Sequence, residues 1–93
     1  MDTEEARTLL RTELVRYRAK RYDELVTLIE NHEHREIVGA SGTTYQIQIY
    51  AFWDAKPNAV LRVSAAIDDG GVRAYFPMTD DFLVAPSGEF VGE

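Results

Sequence analysis

Residues 43–54 alternate in a pattern that an extended backbone satisfies. Tyr45, Ile47, Ile49, Ala51 and Trp53 share one side of such a segment, and Thr44, Gln46, Gln48, Tyr50 and Phe52 share the other. Strand side chains alternate with period two, and Tyr, Ile, Thr, Phe and Trp favour the pleated state, so this stretch predicts a central strand. Its first side is apolar throughout and needs a cover. Its second side mixes amides with two aromatic rings, and what covers that side bears most directly on function.

The cover for the apolar side precedes it. Residues 2–31 read as helix, with no Gly or Pro before Gly39. Asp2 is the expected N-cap, and Glu5 stands three residues later in the capping-box position. Ala6, Leu10, Leu14 and Tyr17 recur at helical spacing, followed by a second set at Tyr22, Leu25, Leu28, Ile29 and His32. A charged stretch, residues 16–24, separates the two sets. An unbroken helix of this span is about 45 Å long, against about 35 Å for the central strand. Either the helix overhangs the sheet, which invites self-association, or it bends near Arg21.

Residues 35–40 predict a first strand. Its register follows from the turn. A two-residue loop at Ser41 and Gly42 sets Ile37 opposite Gln46, which pairs core with surface. A three-residue loop with Gly42 left-handed sets Ile37 opposite Tyr45 and Arg35 opposite Ile47, and is preferred. Residues 60–68 predict a third strand, with Leu61, Val63, Ala65 and Ile67 on one side. Asp69 and Gly70 signal a two-residue hairpin, which would pair Ile67 with Val72, Ala65 with Ala74 and Val63 with Phe76. Residues 78–81 read as a turn. The runs at residues 82–85 and 90–91 read as a small hairpin or extra strand on an edge.

The expected fold is therefore α+β in one domain, residues 1–93. A long N-terminal helix packs on a four-stranded antiparallel meander of order 1-2-3-4, with a short C-terminal hairpin or extra strand. This helix-then-sheet order resembles the cystatin-like and NTF2-like architectures. That resemblance implies a curled, cone-shaped sheet able to hold a pocket, here near Arg62, Arg73, Tyr50 and Tyr75.

Composition excludes several function classes. The chain has no cysteine, so disulfide frameworks, thiolate metal sites and cysteine nucleophiles are ruled out. A net charge of −6 disfavours nucleic acid as a partner. No apolar run approaches a membrane span, and the first residues lack the basic-then-apolar pattern of a secretory leader, so no membrane partner and a cytoplasmic location are expected. Gly-rich phosphate loops and nucleophile motifs are missing from the sequence.

Among reactive side chains, His32, His34 and Glu36 stand at alternate positions and offer a metal-ligand set if extended, although no fourth ligand is evident. Asp68 with Asp69 and Asp80 with Asp81 are paired acids, but both pairs sit in turn contexts. The basic cluster Arg16, Arg18, Lys20 and Arg21 has acids nearby to pair with. No residue is assigned a catalytic role, no cofactor is implied, and an enzyme is the less favoured class.

The second sheet face remains. It is expected to carry Gln46, Gln48, Tyr50, Phe52, Arg62, Ser64, Ala66, Arg73 and Tyr75, an interface-like composition on a sheet with only one face covered by helix. Three covers are open: a second copy or another protein, the chain's own tail (Phe82, Leu83, Phe90 and Val91), or a small molecule. The leading expectation is a non-enzymatic binding or assembly module, a homodimer built on this face. The alternative is a small-molecule-binding protein or enzyme.

Overall fold

A computed structural model describes residues 2–71 and 77–92. It is α+β, with helical elements followed by a five-stranded antiparallel meander of strands β1 to β5, each beside the next in chain order. Helix α1 spans Thr3–Arg18, and Asp2 caps it by accepting the Glu5 N–H at 3.1 Å. Helix α2 spans Tyr22–Val26 and runs into a 3-10 turn, Thr27–Ile29. The strands are β1 (Glu33–Val38), β2 (Thr44–Trp53), β3 (Leu61–Asp68), β4 (Met78–Val84) and β5 (Phe90–Val91).

Of the two courses open to the N-terminal helix, it takes the bend near Arg21 and not the overhang. Arg21 takes an extended backbone (φ −72°, ψ 155°), and the Glu24 carboxylate accepts its N–H at 3.3 Å to start a new helix. The reason lies in the two apolar sets. Along one rod, at about 1.5 Å per residue, the second set would run past the end of the sheet. With the break, α1 packs over β3 and β4 while α2 and the 3-10 turn pack over β2. Tyr22 fixes the new direction by donating its O–H to the Ala59 carbonyl at 2.6 Å.

β2 alternates as expected. Tyr45, Ile47, Ile49 and Ala51 are buried under the helices, together with Leu61, Val63, Ala65 and Ile67 of β3 and Phe82 and Val84 of β4. From α1 come Ala6, Leu10, Leu14 and Tyr17, and from the second helical piece Leu25 and Leu28. Each large side chain in this set contributes about 1.5–3 kcal/mol of transfer free energy. Trp53 packs on the same cluster, on the opposite side of the strand from Phe52.

The first hairpin takes the three-residue loop. Ile37 pairs with Tyr45 and Arg35 with Ile47, and Gly42 is left-handed at φ 89°. The second hairpin corrects the sequence reading. β3 pairs with residues 78–84, so Ile67 meets Met78, Ala65 meets Asp80 and Val63 meets Phe82. Residues 78–81 are thus strand and not turn. The partners expected for β3 at Val72, Ala74 and Phe76 lie outside the described residues. The observed register differs from the expected one by six residues. An even shift leaves every side chain on its face, so alternation could not separate the two. The acids expected to shape a two-residue turn act locally instead: Asp68 accepts the Gly70 N–H at 2.8 Å and Asp69 accepts the Gly71 N–H at 3.2 Å.

Candidate functional site: the outer sheet face

The helices cover one side of the sheet; the even-numbered residues of β2 occupy the other. Four of the seven expected site residues stand in line on that strand. Gln46 and Tyr50 are half-buried, while Gln48 and Phe52 are exposed, Phe52 to 43 %. The rings of Tyr50 and Phe52 stack with centroids 6.4 Å apart, and His32 tilts against Tyr50 at 5.8 Å. A row of three rings thus begins at the edge of the sheet and runs along β2. Beside it lie Ser64, opposite Tyr50, and Ala66, opposite Gln48, both buried. Val38, opposite Thr44, is 66 % exposed on the same face, and the sequence reading missed it. Its signal was there: the first hairpin's register puts an apolar residue opposite a polar one at that position.

Charge flanks this row, on β1 to one side and on β3 and β4 to the other. On β1, Glu36 accepts a hydrogen bond from the Gln46 amide at 3.0 Å across the strands. Arg62 is held between two carboxylates, donating to Asp81 at 2.9 Å and to Asp54 at 2.8 Å. Those two bonds, that to Asp54 first, raise its already high pKa further. The sequence reading offered Arg62 to a ligand; the structure occupies its guanidinium internally. Arg73 and Tyr75, the remaining expected site residues, lie outside the described residues.

The tail does not cap the face. Phe82 points into the core, and Phe90 meets it edge-on at 5.7 Å while Arg18 lies over both rings. Residues 90–91 pair with β4 as the fifth strand and so widen the sheet without crossing it. The expected cover is corrected: Phe82 and Phe90 belong to the helix side, and only Leu83, paired with Arg62, and Val91, paired with Leu83, fall on the outer side.

Other candidate chemistry is accounted for by packing. His34 and Glu36 do lie on one side of β1, with His32 near, yet among the described residues no three His, Asp or Glu side chains gather as a metal ion requires. Asp80 and Asp81 are adjacent strand residues and face opposite ways. The basic cluster is spent internally as well: Arg16 pairs with Glu13 at 3.1 Å, Arg21 with Asp23 at 3.2 Å, and Lys20 lies over the Tyr17 ring.

The polar links between layers were not foreseen. Glu13 on α1 is buried and accepts from Arg35 of β1 at 3.2 Å as well as from Arg16. Tyr17 donates to Glu33. Burial first, and then that carboxylate acceptor, push the Tyr17 phenol well above its usual range. No helix among the described residues is long and apolar enough to cross a membrane. Neither protein-family profiles, nor characterised proteins, nor solved structures yield a match to this chain.

Proposed function

We propose that the protein is a non-enzymatic assembly module that forms a homodimer through its outer sheet face. The observation that carries this is the His32, Tyr50 and Phe52 ring row, which none of the other described elements covers. A ring 43 % exposed near the end of β2 leaves apolar area in water that a partner would remove. Gln48, Tyr50, Ser64 and Ala66 form an uncharged patch across β2 and β3, bordered by Glu36 on β1 and by the Arg62 and Asp81 pair on β3 and β4. That arrangement favours a second copy. Two chains of charge −6 repel each other, so contact between them is least opposed where the surface is uncharged. Strands of six, ten, eight, seven and two residues give a face of about 500–600 Å² in plan, which side-chain relief brings toward the ~800 Å² per partner of a standard interface. Two such sheets would pack about 10 Å apart. The cysteine-free composition suits a reducing cytoplasm for this module.

Sedimentation equilibrium with Phe52→Glu tests the reading. The wild type is expected at twice the chain mass in the high-micromolar range. The variant is expected to be monomeric with an unchanged Tm. A wild-type monomer at those concentrations, or a Phe52→Glu dimer, would overturn it.

A further inference from the structure

Of the three rings in the outer-face row, only the imidazole belongs to a side-chain type that ordinarily changes charge between pH 5 and 8. His32 stands between the 3-10 turn and β1, with its ring 5.8 Å from that of Tyr50 on β2. It is exposed, and among the described residues its side chain has no hydrogen bond or ion pair. On its other side it borders a cleft of about 330 Å³ together with Tyr17 of α1, Lys20, Glu24 of α2 and Glu33 of β1. One cation and two carboxylates therefore stand near the ring, and water reaches it, so the free chain accommodates an imidazolium there.

We propose that protonation of His32 opposes pairing of the outer sheet faces, so that the dimer weakens as the solution is acidified from about pH 7.5 to about pH 5.5. This rests on the homodimer reading given above. A second sheet laid on the ring row takes water from the imidazole, and the charged form loses more by that than the neutral form. Tyr50 lies beside the imidazole in the free and the paired chain alike, so its ring does not offset the difference. The overall charge acts in the other direction. Protonating both histidines takes the chain from −6 to −4, which lessens repulsion between copies and favours association. A dimer that weakens in acid therefore reports a local effect at the ring row. His34 is the control: it lies opposite Gln48 on the same face, outside the ring row, and Glu36 follows it on the same side of β1.

Sedimentation equilibrium in about 150 mM salt, which screens charges more than about 8 Å apart, tests this at the two pH values. Ordinary carboxylates stay ionised across that range. The wild-type dissociation constant is expected to rise several-fold at the lower pH. His32→Phe keeps a ring in the row but takes no proton, and is expected to dimerise with the same constant at both. His34→Gln is expected to keep the wild-type response. A wild-type dimer as tight or tighter in acid, or a His32→Phe dimer that weakens as the wild type does, would overturn the proposal and leave the dimer standing. So would a response lost in His34→Gln. A wild-type monomer at pH 7.5 would overturn the dimer itself and this inference with it.

Discussion

The Tyr45 phenol donates a hydrogen bond at 2.8 Å to the Glu5 carboxylate, forty residues earlier in the chain. The same carboxylate accepts the Ser41 N–H at 2.9 Å and the Ser41 hydroxyl at 2.6 Å. Glu5 occupies the capping-box position of α1, but its side chain reaches the β1–β2 turn and not back to Asp2. One carboxylate thereby ties the first turn of the helix to the hairpin that sets the sheet's register.

Those three donors, the Ser41 hydroxyl foremost, hold the Glu5 carboxyl below its ordinary value of 4.5. A folded-state pKa below the unfolded one stabilises the fold above the unfolded value and is lost as pH falls through the folded value. Thermal melts should therefore show Tm dropping as pH falls below about 4.5. Glu5→Gln should lower Tm at neutral pH and flatten that acid limb. An unchanged acid limb in the variant would count against the role given to Glu5.

At the alkaline end the sign reverses. Burial, and then the Glu5 acceptor, push the Tyr45 phenol up to about 12, against an ordinary value of 10.0. A raised pKa stabilises the fold below the unfolded value and loses that contribution as pH rises through the folded one. Phenolate absorbance should show late-titrating tyrosine above pH 10, from Tyr45 and from Tyr17, whose phenol is raised in the same direction. Tyr45→Phe should remove one late component and make stability less sensitive to pH between about 10 and 12.

Gly39 is buried against this junction. A Cβ built there would lie 2.5 Å from Glu5 Oε1 and 3.0 Å from Tyr45 Cε2. A carboxylate end can usually swing aside, but here moving it breaks the bonds from Ser41 and Tyr45. Gly39→Ala is expected to cost about 1–3 kcal/mol, as overpacking in a closed site does. Chemical denaturation would measure this. Pairing it with Glu5→Ala should recover part of the loss, because the smaller side chain vacates the space.

Glu13 holds α1 to the edge strand. Its side chain is 6 % exposed, while that of its partner Arg35 is 42 % exposed. Arg35→Met removes one of two cations from a carboxylate that is out of water, and solvent reaches only the other side of the pair. The expected cost is about 1–2 kcal/mol, discounted from a fully buried pair for that exposure. For a domain of this size it corresponds to a fall in Tm of roughly 4–15 °C. The double variant with Glu13→Gln should be more stable than the sum of the two single changes, a coupling that a denaturant double-mutant cycle reads directly.

The two faces of β2, the N-cap at Asp2, the left-handed Gly42 and the pairing of Ile37 with Tyr45 were all legible in the sequence. Each depends on residues within a few positions of one another, or on a period that repeats along one strand. So did the ring-bearing character of the outer face at Tyr50 and Phe52. Tertiary packing alone decided where β4 begins, because moving a strand by six residues preserves its alternation, and the choice fell to the fit of Phe82 and Val84 beneath α1. It also decided between two courses that the sequence left open in each case: bend and not overhang at Arg21, and a fifth strand for residues 90–91. Glu5 and Glu13 found their partners across the layers, and Arg62 found Asp81 on the neighbouring strand. Local pattern fixes which way a side chain points, but a long-range contact depends on which distant segment arrives opposite it.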